Sequence, residues 1–278
     1  GFLLPKFARD MMDLLPQQVA KGNLPAKRLA KGEAKGQVGF IEGCVMQVMF
    51  GDTNESSVEL LNRDGWDVIT PRGQGCCGAL YAHSGQLAKA RDCARRNIAA
   101  FENEPLDAII INAAGCGSTL VEYGELLKDD PAWVKRAEVF SAKVKDLVTW
   151  LDSSRFALSG SAAKVTYHDA CHLAHAQGIT AEPRELVKAK SGGELVELAE
   201  SDLCCGSAGS YNLTEPEMAS RLQKRKAQNI IDSGAEVVVT TNPGCLLQIQ
   251  SGLRKAGAHH IRAIHIADYL LEVGTADD

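Results

Sequence analysis

A chain of 278 residues is long enough for two domains of ordinary size, each burying its own core without disulfide staples. Its 45% hydrophobic and 23% charged residues and net charge of -5 are those of a soluble globular protein. No apolar run is long enough to span a bilayer, and Lys and Arg form no dense runs of the kind a nucleic-acid surface needs.

In chain order, residues 1–36 read as an N-terminal helical segment, with Leu3, Leu4, Phe7, Met11, Leu14 and Leu15 at helical spacing between breaks at Pro5 and Pro16. Packing against its own domain is the common fate of such a stripe; a partner or a membrane surface is the alternative. A strand at Val38–Ile41, a helix around Ser57–Asn62, the strand-like WDVIT, a helix at Gln86–Phe101 and a strand at Ala108–Ile111 then fill a first domain, residues 37–155. The small-residue stretch Ser153–Ala163 reads as the boundary. Strands at Val165–Tyr167 and Val237–Thr240 and helices at Pro183–Lys190 and Glu215–Asp232 fill a second domain, residues 163–275. Short Val- and Ile-rich runs alternating with helical patterns predict α/β domains built on parallel sheets.

The nine cysteines are the strongest signal. No secretory leader is visible, so the thiols are expected in a reducing compartment, where metal ligation or redox chemistry explains them better than disulfides. Cys44, Cys76-Cys77 and Cys116 are separated by 31 and 38 residues; Cys171, Cys204-Cys205 and Cys245 by 32 and 39. The flanks repeat as well: VGFIEGC with VTYHDAC, AIIINAAGC with VVVTTNPGC, ARRNIAAF with RKAQNIID, and VKDLVTWL with IHIADYLL. A period this long means two tandem duplicated domains related by internal pseudo-symmetry rather than a solenoid.

Each motif cysteine falls where a strand gives way to a helix. There loops converge, and helix N-termini favour the negative charge of a thiolate-bound cluster. Gly78, Gly115, Gly206 and Gly244 flank the cysteines, let the backbone approach closely, and are candidate cofactor-binding positions. The eight motif cysteines are the candidate metal ligands. Four thiolates also satisfy zinc, so sulfur alone does not separate zinc from iron-sulfur. Cys93, unmatched in the second copy, reads as core. His168, His172 and His175 crowd Cys171 but face Ile41, Val45 and Val48 in the first copy, so contact with the ligands is a better reading than ligation. Asp169 and Tyr211 either tune a cluster or pack. Gly73-x-Gly75-x-x-Gly78 formally meets the dinucleotide fingerprint, but its interior holds the paired cysteines, and the glycines serve the turn.

The two C-xn-C-C-G-xm-C patterns resemble the CCG domains in the cysteine-rich subunit of heterodisulfide reductase and in its relatives in flavin-linked hydroxy-acid oxidation. YHDACHLAHAQ around Cys171 and DLCCGSAGSYNL around Cys204 are most similar to the iron-sulfur subunit family of bacterial glycolate oxidase. The resemblance implies one 4Fe-4S cluster per domain; the thiolate chemistry keeps zinc in one site as the alternative, and no residue of this chain reads as a catalytic base for the substrate chemistry. The resemblance also implies FAD-containing partner subunits, a membrane quinone as electron acceptor, and a cytoplasmic location, peripheral on the inner membrane. The family's subunit carries an N-terminal ferredoxin-type domain absent here, which, with a first residue other than Met, suggests a C-terminal portion. Relatives that cleave disulfides end the motif with C-x-x-C, where this chain has Thr119 and Gln248. That favours an ordinary cubane and leaves a thiol/disulfide reductase and a zinc-stabilised scaffold as the competing readings.

Overall fold

The computed structural model describes residues 22–155, 163–192 and 195–272, with Met12 and Val19. The apolar stripe expected in residues 3–15 and most of the boundary stretch lie outside the described residues. In the first half the elements run β1 (Lys27–Arg28), β2 (Gly36–Phe40), α1 (Cys44–Met49), α2 (Gly51–Arg63), β3 (Trp66–Ile69), α3 (Ala79–His83) and α4 (Leu87–Phe101). They continue through β4 (Ala108–Ile111), α5 (Ala114–Leu120), α6 (Tyr123–Leu126), α7 (Val134–Lys143), β5 (Val144–Asp146) and α8 (Leu147–Trp150). The second half runs β6 (Val165–Tyr167), α9 (Cys171–Ala174), α10 (Ala181–Lys190), β7 (Leu195–Val196), α11 (Tyr211–Thr214) and α12 (Pro216–Asp232). It ends with β8 (Val237–Thr240), α13 (Pro243–Lys255), β9 (Arg262–His265) and α14 (Ile266–Leu271).

The sheets are ordered β1-β3-β2-β4-β5 and β7-β6-β8-β9. Every ladder is parallel except β1 on β3, where Lys27 and Arg28 oppose Ile69 and Val68. Without that edge the two orders are identical. Among the described residues, the stretch read as a helical N-terminus therefore supplies an antiparallel edge strand to the first sheet at Lys27–Arg28. The inner strands β4 (AIII) and β8 (VVVT) are buried along their whole length, as strands covered by helices on both faces must be. In the same half as β4, α4 buries Ala90, Ala94, Asn97, Ile98 and Phe101, a helical stripe, of which Ala94, Ile98 and Phe101 share a cluster with Ile109 and Ile111.

Structural equivalence corrects two matches made by letter. Gly78 lies against Ala90 and Gly206 against Ala219, which pairs Asn97 with Lys226, two residues away from the alignment of ARRNIAAF with RKAQNIID. Val144 pairs with Ile109 and Ala263 with Val238, so Asp146 matches His265, one residue away from the alignment of VKDLVTWL with IHIADYLL. Short patterned segments match themselves at neighbouring registers; hydrogen-bond ladders do not.

The halves are joined by exchange of their last helices, α14 packing on α2 and α8 on α10. One apolar cluster runs from Leu24, Val38, Phe40 and Leu61 of the first half to Val165, Val238, Ile249 and Tyr269 of the second. Polar ties cross with it: the Thr53 hydroxyl donates to Asp268 at 2.7 Å, and the buried His265 Nε2 lies 2.8 Å from the Asn112 carbonyl.

Candidate metal centre

All eight motif cysteines line a single cavity of about 250 Å³, together with Leu80, His83, His172 and Asn242. The exchange of terminal helices turns the two motifs face to face, so the strand ends that each sheet presents open on the same space. A larger cleft of about 870 Å³, lined by Asp52, Arg254, His259 and His260 among others, holds none of the motif cysteines. Chemistry, not size, marks the site.

Local structure delivers the sulfurs in the same way in both halves. Cys44 and Cys171 open α1 and α9 directly after β2 and β6, while Cys116 and Cys245 lie in the first turns of α5 and α13 after β4 and β8. The paired cysteines sit on a turn closed by Gly78 (φ 88°) and Gly206 (φ 94°). There the chain occupies the left-handed region that glycine tolerates. The turn resolves the difficulty that adjacent side chains on a strand point to opposite faces. Its glycines also donate to sulfur, Gly78 N–H to Cys76 Sγ at 3.4 Å and Gly206 N–H to Cys204 Sγ at 3.3 Å. Gly115 and Gly244 line the cavity, but the Gly115 N–H is taken by Asn242 Oδ1 at 3.0 Å, so it does not serve a sulfur.

All nine cysteines are free thiols. Contacts with Cys44 and Cys77, helped by the Gly78 N–H, hold the Cys76 thiol far below the usual range. Contacts with Cys171 and Cys205, helped by the Gly206 N–H, do the same for Cys204. Their partners Cys44 and Cys171 are pushed up by those same thiols. In each half sulfurs at hydrogen-bonding range compete for protons that a bound cation would displace. The donor set, all sulfur with backbone N–H groups aimed at it, fits a thiolate-bound iron-sulfur cluster, and it also fits zinc.

The remaining candidates separate cleanly. His168 is fully buried, and one of its ring nitrogens lies within 4.8 Å of the Cys205 and Cys245 sulfurs. His172 stands at the rim, its Nδ1 3.6 Å from Cys171 Sγ and its ring 5.9 Å from that of His83 in the other half. His175 turns to the Asp202 carbonyl at 3.3 Å and is no part of the cavity lining. Asp169 is engaged by Arg184 in a two-pronged pair at 2.7 and 2.6 Å, which holds its carboxyl below the usual range against the effect of burial. Tyr211 opens α11 and does not line the cavity. Gln248, at the position of the missing cysteine, does line it, with Oε1 unpaired; Thr119 does not.

Two contributors, Asn242 and Lys226, escaped sequence reasoning, and Cys93, read as core, stands beside the site. Cys93 packs beside Cys76 and its glycine; its spacing of three from Ala90 and four from Asn97 put it near the buried face of α4. Asn242 bridges the halves, accepting from Gly115 and donating to Cys245 Sγ at 3.5 Å. Lys226, buried on α12, donates to the carbonyls of Glu200 and Ser201. Neither of these two carried a sequence signal, because both act across long separations.

Residues 38–121 and 165–250 each match the family model of the CCG cysteine-rich domain. The chain is 41% identical to the probable glycolate oxidase iron-sulfur subunit of Bacillus subtilis, covering 97% of this chain and 63% of that protein. It is 35% identical to the glycolate oxidase iron-sulfur subunit of Escherichia coli, covering 91% and 64%. It thus spans somewhat less than two thirds of the length of these relatives. With lactate utilization protein A of Exiguobacterium sp. it shares 33% identity over 82% of this chain and 94% of that one. A crystal structure of a hypothetical protein from Helicobacter pylori shares the fold, with a TM-score of 0.61 at 13% identity over all of this chain and 56% of that one.

Proposed function

The chain belongs to the CCG cysteine-rich domain family, and from that premise we propose that it is an iron-sulfur electron-transfer subunit of a flavin-dependent 2-hydroxy-acid dehydrogenase, with glycolate as the donor. The observation that carries this reading is the convergence of two four-cysteine sets on one cavity. Bound there, 4Fe-4S clusters would accept and release single electrons. The cysteines would hold them, Gly78 and Gly206 would donate to their thiolates, and Gly115 and Gly244 would keep the walls bare. Electrons would arrive from FAD-containing partner subunits and leave towards a membrane quinone. Among the described residues no helix is long and apolar enough to cross a membrane, and a peripheral place on the cytoplasmic face is the proposed location. Thr119 and Gln248 in place of further cysteines speak against a thiol/disulfide reductase.

One observation favours a second reading for the first site. Cys44 and Cys76 sulfurs stand 3.6 Å apart, close to the roughly 3.8 Å edge of four thiolates around one tetrahedral zinc. Anaerobic purification with iron, sulfide and zinc analysis separates the two: about eight iron and eight sulfide per chain are expected for two cubanes. Zinc without sulfide would sink the electron-carrier reading and leave a scaffold. Dye reduction dependent on glycolate or lactate, appearing only when the flavin subunits are added, then tests the donor.

A further inference from the structure

The two sites share a donor set but not their surroundings. Where the first half places the hydrocarbon of Ile41, the second places His168, with both ring nitrogens buried and neither at hydrogen-bond distance from a partner among the described residues. An imidazole always carries at least one N–H, and a donor sealed from water needs an acceptor. The polar atoms grouped with the ring are sulfurs: those of Cys205 and Cys245 lie with one of its nitrogens in a group no more than 4.8 Å across. At the equivalent place in the first site Ile41 can donate to nothing, and the side-chain donor beside a sulfur there is the weaker Cys93 thiol, next to Cys76.

A second difference points the same way. On the helix beneath the cysteine pair the first half has Asn97, a neutral amide that accepts from Gly75 N–H at 2.8 Å and donates to the Cys76 carbonyl at 3.1 Å. The equivalent residue of the second half is Lys226, whose side chain is buried and donates to the carbonyls of Glu200 and Ser201, in the loop leading to Cys204. One half therefore sets an amide under its site and the other an ammonium.

Reduction adds negative charge to a thiolate-bound cluster, so an N–H donor on its sulfurs and a buried cation nearby favour the reduced form and raise the potential. Resting on the iron-sulfur reading above, we propose that His168, reinforced by Lys226, makes the second site the more readily reduced of the pair. An electron entering the shared cavity then settles on the C-terminal site. His168 acts here on the ligating sulfurs and is a tuning residue, not a ligand.

The test is an anaerobic redox titration of the holo chain followed by electron paramagnetic resonance, with iron and sulfide counted in each sample. Wild type is expected to show two waves. His168→Ile, which installs the first half's own residue, lowers the upper wave by about 59 mV, a tenfold change in the reduced-to-oxidised ratio for one electron. It leaves the lower wave and the iron content in place. His168→Gln keeps a donor and recovers part of the shift; Lys226→Asn lowers the upper wave less. The reciprocal Ile41→His raises the lower wave and keeps the proposal testable if His168→Ile does not fold. Waves that do not move with iron retained overturn the proposal alone. Loss of half the iron from His168→Ile overturns it in favour of imidazole ligation. Wild-type chain without iron and sulfide overturns the proposed function, and this inference with it.

Discussion

Apart from the β1 edge, the first and second halves agree in their parallel ladders and differ where a side chain faces the sulfurs. Strand order, parallel registers and the position of each cysteine at a strand end coincide. Around the sites, Ile41 answers to His168, Asn97 to Lys226 and Ala113 to Asn242. Only the second member of each pair reaches a ligand sulfur or places a charge beneath one. Duplication thus supplies two equal frames, and a handful of buried polar substitutions makes their electrostatics unequal. The same inequality appears at the two interfacial helix caps: Asp146 accepts from Val148 N–H and His265 from Ala267 N–H, equivalent roles filled by groups of opposite charge habit.

The sharpest way to break the comparison is to empty one frame at a time. Cys77→Ser and Cys205→Ser each remove a buried ligand sulfur. Independent sites predict that iron and sulfide fall by about half in either variant, with the other site's spectrum intact. Complete loss in either would show that the facing sites assemble as a unit.

Next come the caps. Burial, only partly offset by the Val148 N–H, pushes the Asp146 carboxyl up to about 7. A carboxyl that is protonated when folded but ionised when unfolded stabilises fully below its unfolded pKa, and that stability is lost as pH rises to about 7. Asp146→Asn keeps the cap and removes the ionisation. Above pH 7 it should stabilise the chain by up to about 4 kcal/mol, the free-energy equivalent of moving an aspartate from its ordinary pKa to about 7, and flatten the slope of stability between about pH 4 and 7. His265 has the opposite sign. Burial lowers its pKa, so the stability of its neutral form is lost as pH falls below about 6.5, the unfolded value. His265→Asn should flatten that limb alone. Urea titrations at pH 5, 6, 7 and 8 read both slopes, and equal slopes in wild type and variants would refute the assignment.

The turn glycines rank third. A Cβ on Gly206 would stand 2.4 Å from the Ala219 carbonyl oxygen, and one on Gly78 3.1 Å from that of Ala90. Both positions carry the left-handed penalty of about 1–2 kcal/mol, and the closer backbone clash adds a further 1–3 kcal/mol or so. Gly206→Ala is therefore expected to lower stability more than Gly78→Ala. A reversed order in thermal melts would mean that the second turn relaxes more easily than its packing implies.

Much of the frame was legible in the residues. Ala108–Ile111, Val165–Tyr167 and Val237–Thr240 are strands with the bounds read from their Val and Ile runs, and the helix read at Gln86–Phe101 begins one residue later. Period and branching speak locally, and the cysteine repeat spoke for the sites. What stayed hidden depends on contacts that no local pattern encodes. β7 and β9 are short strands defined by their neighbours, the exchange of α8 and α14 is a matter of topology, and the meeting of both motifs in one cavity follows from that exchange. His168 was read as a contact of its neighbour Cys171, yet the sulfurs it approaches are Cys205 and Cys245, 37 and 77 positions away in the chain. Lys226 carried no signal of its own, because the loop carbonyls of Glu200 and Ser201 that take up its ammonium lie about 25 positions away in the chain.

The smallest effect tests the one sulfur that breaks the pairing in the other direction. Cys93 lies beside Cys76 and against Gly78, half-buried, and Cys76 is among the charges that raise its thiol, after burial itself. A raised thiol stays protonated, and a protonated thiol is a weak ligand and a weak nucleophile. The second half carries Leu222 at the matching helical position and still assembles four sulfurs around its turn, so a fifth sulfur is not needed to build the frame. Cys93→Ala should leave iron and sulfide unchanged and cost at most about 1 kcal/mol, the loss of one small, partly exposed group. A drop in iron confined to the first site would instead make Cys93 a ligand. The two halves would then differ in donor number as well as in the charges around their donors.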